Sequence, residues 1–422
     1  MNNVALDDHF FRREAGRMVA VLTRIFGVHN LALAEDVAQE ALCRAVEVWK
    51  LRGIPDNPSA WLIATAKNRA RDVLRRERTA RNFAPELGRA IDNEWLLAPA
   101  LEEMFLDSAI RDGQLRVMFS CCDPRLPEQA RIALVLNVSC GFGVREIAAA
   151  FLSGEAAIEK RIARAKQTLS QSQRLFELAD ADFAPRLETL QRSLYLLFNE
   201  GYHGAHALSA VRVELCEEAM RLCALLLEHP QTAVPTSHAL MALMSFHAAR
   251  LPARVDDAGD LRPFAQQDRT RWDQRLVAQG HDLLDRAATG DTLSEYHVEA
   301  AIAAVHAMAP RFEDTKWQVI VSLYDMLLQL RASPVIALSR AVAVAELAGP
   351  ERGLAEIASI ADHERLARYP FYHAALGELE LRCGHAVAAV EHFRAALALA
   401  RNPGEKRFLT QRVEACVEVA SG

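Results

Sequence analysis

Lys67, Arg71 and Arg75 follow one another at four-residue spacing and Arg78 comes three residues later; Arg69, Arg76 and Arg81 lie among and just beyond them, and only Asp72 and Glu77 carry the opposite sign. Such spacing is the period of one helix face. Ordinary solvated helices mix their charges, whereas a ladder of one sign has the chemistry of a polyanion-binding face, so the stretch reads as a surface for nucleic-acid phosphates. Leu62, Ala66, Ala70, Val73 and Leu74 share the other side of the segment, and a single helix over 58–78 therefore packs inward while offering charge outward.

The elements that must position this face are helical too. A first block, residues 9–80, holds helices near 9–26, 31–50 and 58–78, broken at Gly27-Val28-His29-Asn30 and at Gly53-Ile54-Pro55-Asp56-Asn57-Pro58. In the second of these helices Glu35, Asp36, Gln39 and Glu40 crowd one side, opposite Ala34, Val37, Ala41, Ala45 and Val48. Residues 81–110, with Pro85, Gly88 and Pro99, read as a linker carrying one or two short helices. A second block, 111–172, has helices at 113–121, 127–139, 144–151 and 155–170. The last two fit a helix-turn-helix. Val144, Ile147, Ala148 and Phe151 pack the short helix, Leu152-Ser153-Gly154 turns, and Glu155 opens a longer helix bearing Lys160, Arg161, Arg164 and Lys166.

From about 183 to 420 the chain is a long helical array. Ala355 in GLAEI and Ala389 in AVAAV lie 34 residues apart, the tetratricopeptide period, and Leu376, Gly377, Ala389, Phe393, Ala396 and Pro403 fall where such a repeat needs small or aromatic packing residues. The assignment covers 336–369 and 370–403. Stacked helix pairs of this kind offer a groove to a protein or small-molecule partner. Alternating β-branched runs are absent, so the fold class is all-α throughout.

At 422 residues the chain is long enough for two to four domains. Its net charge of -6 confines any nucleic-acid surface to a local patch. No apolar run reaches the length of about 18 residues that a membrane span needs, and Asp7, Asp8 and His9 stand where a secretory leader would be apolar, so a cytoplasmic protein is expected. The eight cysteines are scattered without a Cys-x-x-Cys pair and read as reduced thiols. Cys121-Cys122-Asp123 reads as buried thiols rather than a zinc site. Asn199, Glu200, Tyr202 and His203 read as a helix end with Gly201 as its cap and a polar network to the next helix. Gln267, Asp268, Arg269 and Trp272 read as a clamp between helices, although a polar cluster in a groove could also bind a ligand. No nucleophile–base spacing, phosphate loop or ligand set is present, so no enzyme activity, cofactor or metal is expected.

Acidic helix, Gly-Pro loop, basic helix, linker and helix-turn-helix follow in the order found in bacterial sigma-70 family factors of the extracytoplasmic-function type, which the chain resembles. AEDVAQEA is similar to their region 2.2, WLIATAKNRARDVLRRE to region 2.4, and REIAAAFLSGEAAIEKRIARAKQTL to the region 4 helix-turn-helix. LYLLFNEGY, QDRTRWD, EYHVEAAIAAVHA and SPVIALSRAVAVAE resemble the subgroup with a tetratricopeptide-like extension, although Asp123, Ser339 and Lys316 depart from its usual His, Asn and Asp. The resemblance implies that Glu35, Asp36, Gln39 and Glu40 meet the basic β′ clamp helices of core RNA polymerase, whose β flap is a further contact. It implies that Lys67, Asn68, Arg69, Arg71, Arg75 and Arg76 meet the -10 element, single-stranded where it opens, with pairing of Arg69 to Asp72 as the alternative for that residue. It also implies that Glu155, Ala156, Ala157, Glu159, Lys160 and Arg161 face the bases of the duplex -35 element, with Arg164 and Lys166 on phosphate. The chain is then a transcription initiation factor whose extension regulates it in cis. The rival is a helix-turn-helix regulator whose array senses a peptide or small molecule. The acidic helix separates the two, because a repressor has no use for a polymerase-clamp surface.

Overall fold

The computed structural model describes residues 8–76, 94–151, 153–171, 182–203, 211–256, 260–400 and 403–421. Arg78 and Arg81 of the cationic ladder, Pro85 and Gly88 of the expected linker, and Leu152 of the turn lie outside them. The described residues form helices joined by short turns, and their one β-type pairing is the isolated bridge between Val255 and Leu261. Two compact units result, one formed by 1–197 with 228–232 and the other by 198–227 with 233–422.

The first unit opens with α1 (Asp8–Phe26), α2 (Leu31–Arg52) and α3 (Pro58–Arg76). Gly27 and Gly53 end the first two helices with φ of 85° and 81°, a left-handed conformation that any side chain would strain. Asn57 then caps α3, its Oδ1 accepting from the Ala60 N–H at 2.9 Å, and Pro58 takes the first helical position where a missing N–H costs nothing. Trp49 of α2 meets Trp61 of α3 edge-on at 5.4 Å and Phe11 of α1 at 6.0 Å. The apolar faces read from the sequence are buried at Leu62, Ala66, Ala70, Val73 and Leu74 on α3 and at Ala34, Val37, Ala41 and Ala45 on α2, whereas Val48 at the end of the α2 stripe is only half-buried.

A buried carboxylate ties these helices together. Glu14 is 0 % exposed, accepts the Ser59 hydroxyl at 2.7 Å and pairs with Arg17 at 3.1 Å. Arg17 in turn donates to Ser59 Oγ at 2.9 Å and to Asp107 at 2.7 Å.

Next come α4 (Glu94–Met104), α5 (Asp107–Cys121), α6 (Glu128–Val138), α7 (Val144–Ala150) and α8 (Glu155–Ser170). The last three match the expected helices to within a residue. α5 begins six residues earlier than the expected 113, and Asp107 in its first turn is well placed to favour the helix N-terminus. α9 (Ala184–His203) crosses the boundary between the units. Its first half buries Leu187, Leu190 and Leu194 within the first unit, where Arg186 donates to the Phe119 carbonyl and Arg131 to Thr189 at 3.1 Å each.

The second unit contains α10 (Val213–Glu228) up to Leu227, then α11 (Pro235–Ala249), α12 (Leu251–Arg254), α13 (Gln274–Ala287), α14 (Glu295–Met308) and α15 (Trp317–Leu330). It ends with the helix pairs α16 (Pro334–Ala348) with α17 (Pro350–Ala358) and α18 (Pro370–Arg382) with α19 (Ala386–Leu399), followed by α20 (Pro403–Ser421). Each pair closes over a small residue. A Cβ on Gly377 would sit 3.0 Å from the Phe393 ring, and one on Gly353 would sit 2.4 Å from the Ala345 methyl. Ala389 and Ala396 are fully buried beside Phe393. The architecture is all-α, a helical region of the expected layout followed by a solenoid-like array of helix pairs.

Candidate nucleic-acid interface

On α2 the side opposite the buried stripe presents Asp36, Gln39 and Glu40 to solvent, with Glu35 half-buried. On α3, Asn68, Arg75 and Arg76 are exposed, while Lys67, Arg69 and Arg71 are half-buried. Two of these cations are held by acids. Lys67 Nζ lies 2.5 Å from Glu102 of α4, and the Arg69 guanidinium forks onto Glu40, with Nη2 donating to Oε1 at 3.0 Å and Nε to Oε2. The hydrogen bond from Glu40 raises the Arg69 pKa above its ordinary value, and Asp72 adds only a weaker Coulombic pull. Glu40, not Asp72, is therefore the partner of Arg69. Since Glu40 is about half-exposed, this pair stabilises the fold by about 1 kcal/mol or less and is cheap to open.

The same region carries an apolar component that charge reading overlooked. Leu51 is 86 % exposed, and Val46 and Ile54 are also open to solvent. Leu51 continues the line of Glu40, Arg44 and Glu47, and Val46 that of Gln39 and Cys43. Their position off the packing stripe is the signal that could have found them.

The α7–α8 hairpin buries Ile147, Ala148, Ile158, Ile162, Ala165 and Leu169. This leaves Glu155, Ala156, Ala157, Glu159, Lys160 and Arg164 exposed on α8, while Arg161 lies half-buried over the Phe151 ring. The hairpin sits against the first three-helix block. Arg12 of α1 pairs with Glu146 of α7 at 2.9 Å, and a Cβ on Gly16 would meet the Ser139 carbonyl at 2.6 Å. Lys166 Nζ reaches both oxygens of Glu35, at 2.7 and 2.9 Å. Thus the structure joins residues expected on different surfaces: Lys166 from the helix-turn-helix with Glu35 from the acidic helix, and Arg69 from the basic ladder with Glu40.

Comparison with known proteins bears on this arrangement. Residues 10–80, the segment spanning α1 to the end of α3 with both charged faces, match the family model of Sigma-70 region 2. That segment carries a Sigma-70 region 2 domain. The whole chain is 39 % identical over 400 residues to an uncharacterized protein of Rhizobium meliloti (strain 1021), covering 94 % of this chain and 92 % of that one. Residues 186–288 match a family of unknown function, DUF6596. No solved structure matches the chain. A Sigma-70 region 2 domain supports a sigma-factor-like role in transcription initiation, in which core RNA polymerase and promoter DNA are the general partners. Among the described residues no helix is long and apolar enough to cross a membrane.

The remaining eye-catching residues also find their places. Cys121 and Cys122 are buried thiols; burial drives the pKa of Cys121 well up and that of Cys122 to about 12. Gly201 is not a helix cap, because α9 continues through it to His203. Its missing side chain instead admits α10: a Cβ there would lie 2.8 Å from the Arg212 carbonyl and 2.9 Å from the Cys216 nitrogen. The clamp reading of QDRTRWD holds for Arg269, whose Nη1 donates to the carbonyls of His306 and Ala309 at 2.7 Å each. Asp268 caps the short turn after it by accepting from the Thr270 N–H.

Proposed function

We propose that the protein is a sigma factor of the extracytoplasmic-function type. It binds core RNA polymerase through Glu35, Asp36, Gln39 and Glu40, with Leu51 adding apolar contact. It engages the -10 element through the α3 ladder and the -35 element through the exposed first turns of α8. The observation that carries this reading is the region 2 match over a segment whose acidic α2 face and basic α3 face both reach solvent. The decisive test is reconstitution with core polymerase on a promoter library. Failure both to co-purify with polymerase and to initiate on any promoter would sink the reading. Glu40→Lys is expected to weaken polymerase binding by about tenfold, since a charge at an interface rim is reversed, while leaving duplex binding intact. Loss of DNA binding with normal polymerase affinity would mean that the surfaces are misassigned.

The pairs Lys166–Glu35 and Arg69–Glu40 support a closed resting form, in which the factor's own cations occupy the acids that polymerase needs. Lys166→Ala is expected to raise affinity for core polymerase by about two- to fivefold, the equivalent of one partly exposed ion pair. A fall in affinity would exclude masking.

The second unit, with tetratricopeptide-like repeats over 336–369 and 370–403, regulates the first in cis. Its covalent attachment and the Gly377–Phe393 packing of its last pair support that reading. A truncation to test it belongs after Leu197 and not at 183, because the head of α9 packs in the first unit. Promoter transcription unchanged in both level and response would dismiss regulation in cis.

A further inference from the structure

The second unit gathers cations around unpartnered polar atoms where, among the described residues, no carboxylate pairs with them. His247, Arg250 and Arg254 lie on one side of the α11–α12 turn at spacings of three and four residues. Arg250 stacks 4.1 Å from the centroid of the Phe264 ring and donates to Gln267 Oε1 at 3.3 Å. Arg254 stacks 4.0 Å from the Tyr202 ring, and its Nη2 lies 3.0 Å from His203 Nδ1. Among the described residues, neither arginine forms a salt bridge. Arg269 differs, its Nη1 donating to two carbonyls and its Nη2 to the Thr315 hydroxyl.

Five polar atoms of this cluster are buried without a hydrogen-bond partner: Tyr202 OH, His247 Nδ1, Arg254 Nε, Trp272 Nε1 and His306 Nδ1. Tyr202 is 2 % exposed and Trp272 4 %. A buried polar group left unpaired forfeits its hydration without replacement, so five around one locus are an arrangement that needs explaining. Most are donors, or rings that become donors once protonated, and the charges beside them are positive. Burial, followed by the neighbouring arginines, pushes the His247 imidazole well below its usual range and His306 down to about 3; burial also lowers the Arg250 guanidinium. A molecule that relieves such a site must bring negative charge and acceptor oxygens, which a planar guanidinium fork takes up in bidentate fashion.

We infer that the cluster built by Tyr202, His247, Arg250, Arg254 and Trp272 is a binding site for the oxyanion group, carboxylate or phosphate, of a small molecule. Arg250 and Arg254 supply the charge. Tyr202 OH and Trp272 Nε1 supply directed hydrogen bonds, and the aromatic faces hold the guanidinium planes. Bound there, the ligand joins the ends of α9 and α11 to the 264–272 segment.

Thermal melting of the full-length protein, titrated separately with inorganic phosphate and with malonate against chloride at matched ionic strength, tests this. At saturation one of the two anions is expected to raise the melting temperature by about 5 °C beyond chloride, and the one that does so identifies the head group. In Arg254→Gln that increment is expected to vanish, whereas a general salting-out effect would persist. Arg250→Gln should behave the same way, and Trp272 fluorescence, titrated in the wild type, gives a second readout if either variant folds poorly. Equal increments in the wild type and in Arg254→Gln, or no increment and no fluorescence change with either anion, would overturn the site.

Discussion

Replacing Arg17 with alanine is expected to lower the stability of the first unit by about 3–5 kcal/mol, the cost of leaving a buried charge without its partner. Glu14 has no exposure at all, and its charge is met most closely by Arg17, by the hydroxyl of Ser59 on the first turn of α3, and at 3.5 Å by Arg13. Removal of the guanidinium leaves the carboxylate the Ser59 hydroxyl and only the longer contact to Arg13, and also frees Asp107 at the start of α5. Glu14→Gln should cost less, because a neutral amide can still accept from Ser59 and carries no charge to solvate. Urea unfolding of the two variants side by side checks the claim. Arg17→Ala should have the lower midpoint at an unchanged slope, and equal midpoints would show that the charge is not what holds the helices together.

The double substitution Arg75→Ala with Arg76→Ala is expected to weaken promoter binding by about tenfold or more at physiological salt. Two phosphate contacts should also be lost from the salt dependence, which flattens by a slope of about 1.8 in log affinity against log salt. Both residues are exposed at the end of α3. The effect should be nearly the same on different promoters, because phosphate contacts position the protein and do not read bases. A salt slope identical to that of the parent protein would remove these arginines from the interface.

The sequence made the faces legible and the pairings across the fold invisible. The buried stripe of α3 and the exposed acids of α2 follow from a helical period that needs only neighbouring residues. Gly27, Gly53 and Asn57-Pro58 mark real helix ends because their backbone requirements are local. Glu14 and Arg17 can be read as an ordinary helix pair, but nothing local says that Ser59 lies 2.7 Å from the carboxylate. The same holds for Lys166 and Glu35, 131 positions apart. Gly201 misled because a glycine near a polar cluster has the same local appearance whether it ends a helix or lets another approach. The apolar Leu51 was passed over because attention to charge hides an exposed leucine. The cationic cluster of the second unit draws on four separated segments, which no spacing rule connects.

The docking of the α7–α8 hairpin against α1 and α2 sets a limit on length. A compact unit of about 200 residues has a radius of gyration of about 16 Å and measures about 45 Å across. By their names the -35 and -10 elements lie about 25 base pairs apart, which at about 3.4 Å per pair is about 85 Å of duplex. In the proposed role, then, the folded first unit is a ruler about half as long as the object it must measure. It can rest on one element at a time, and it has to unfold at the joint held by Arg12–Glu146 and Lys166–Glu35 before it can span both. In that role, whatever separates the hairpin from α1 and α2 decides when two half-signals count as a promoter.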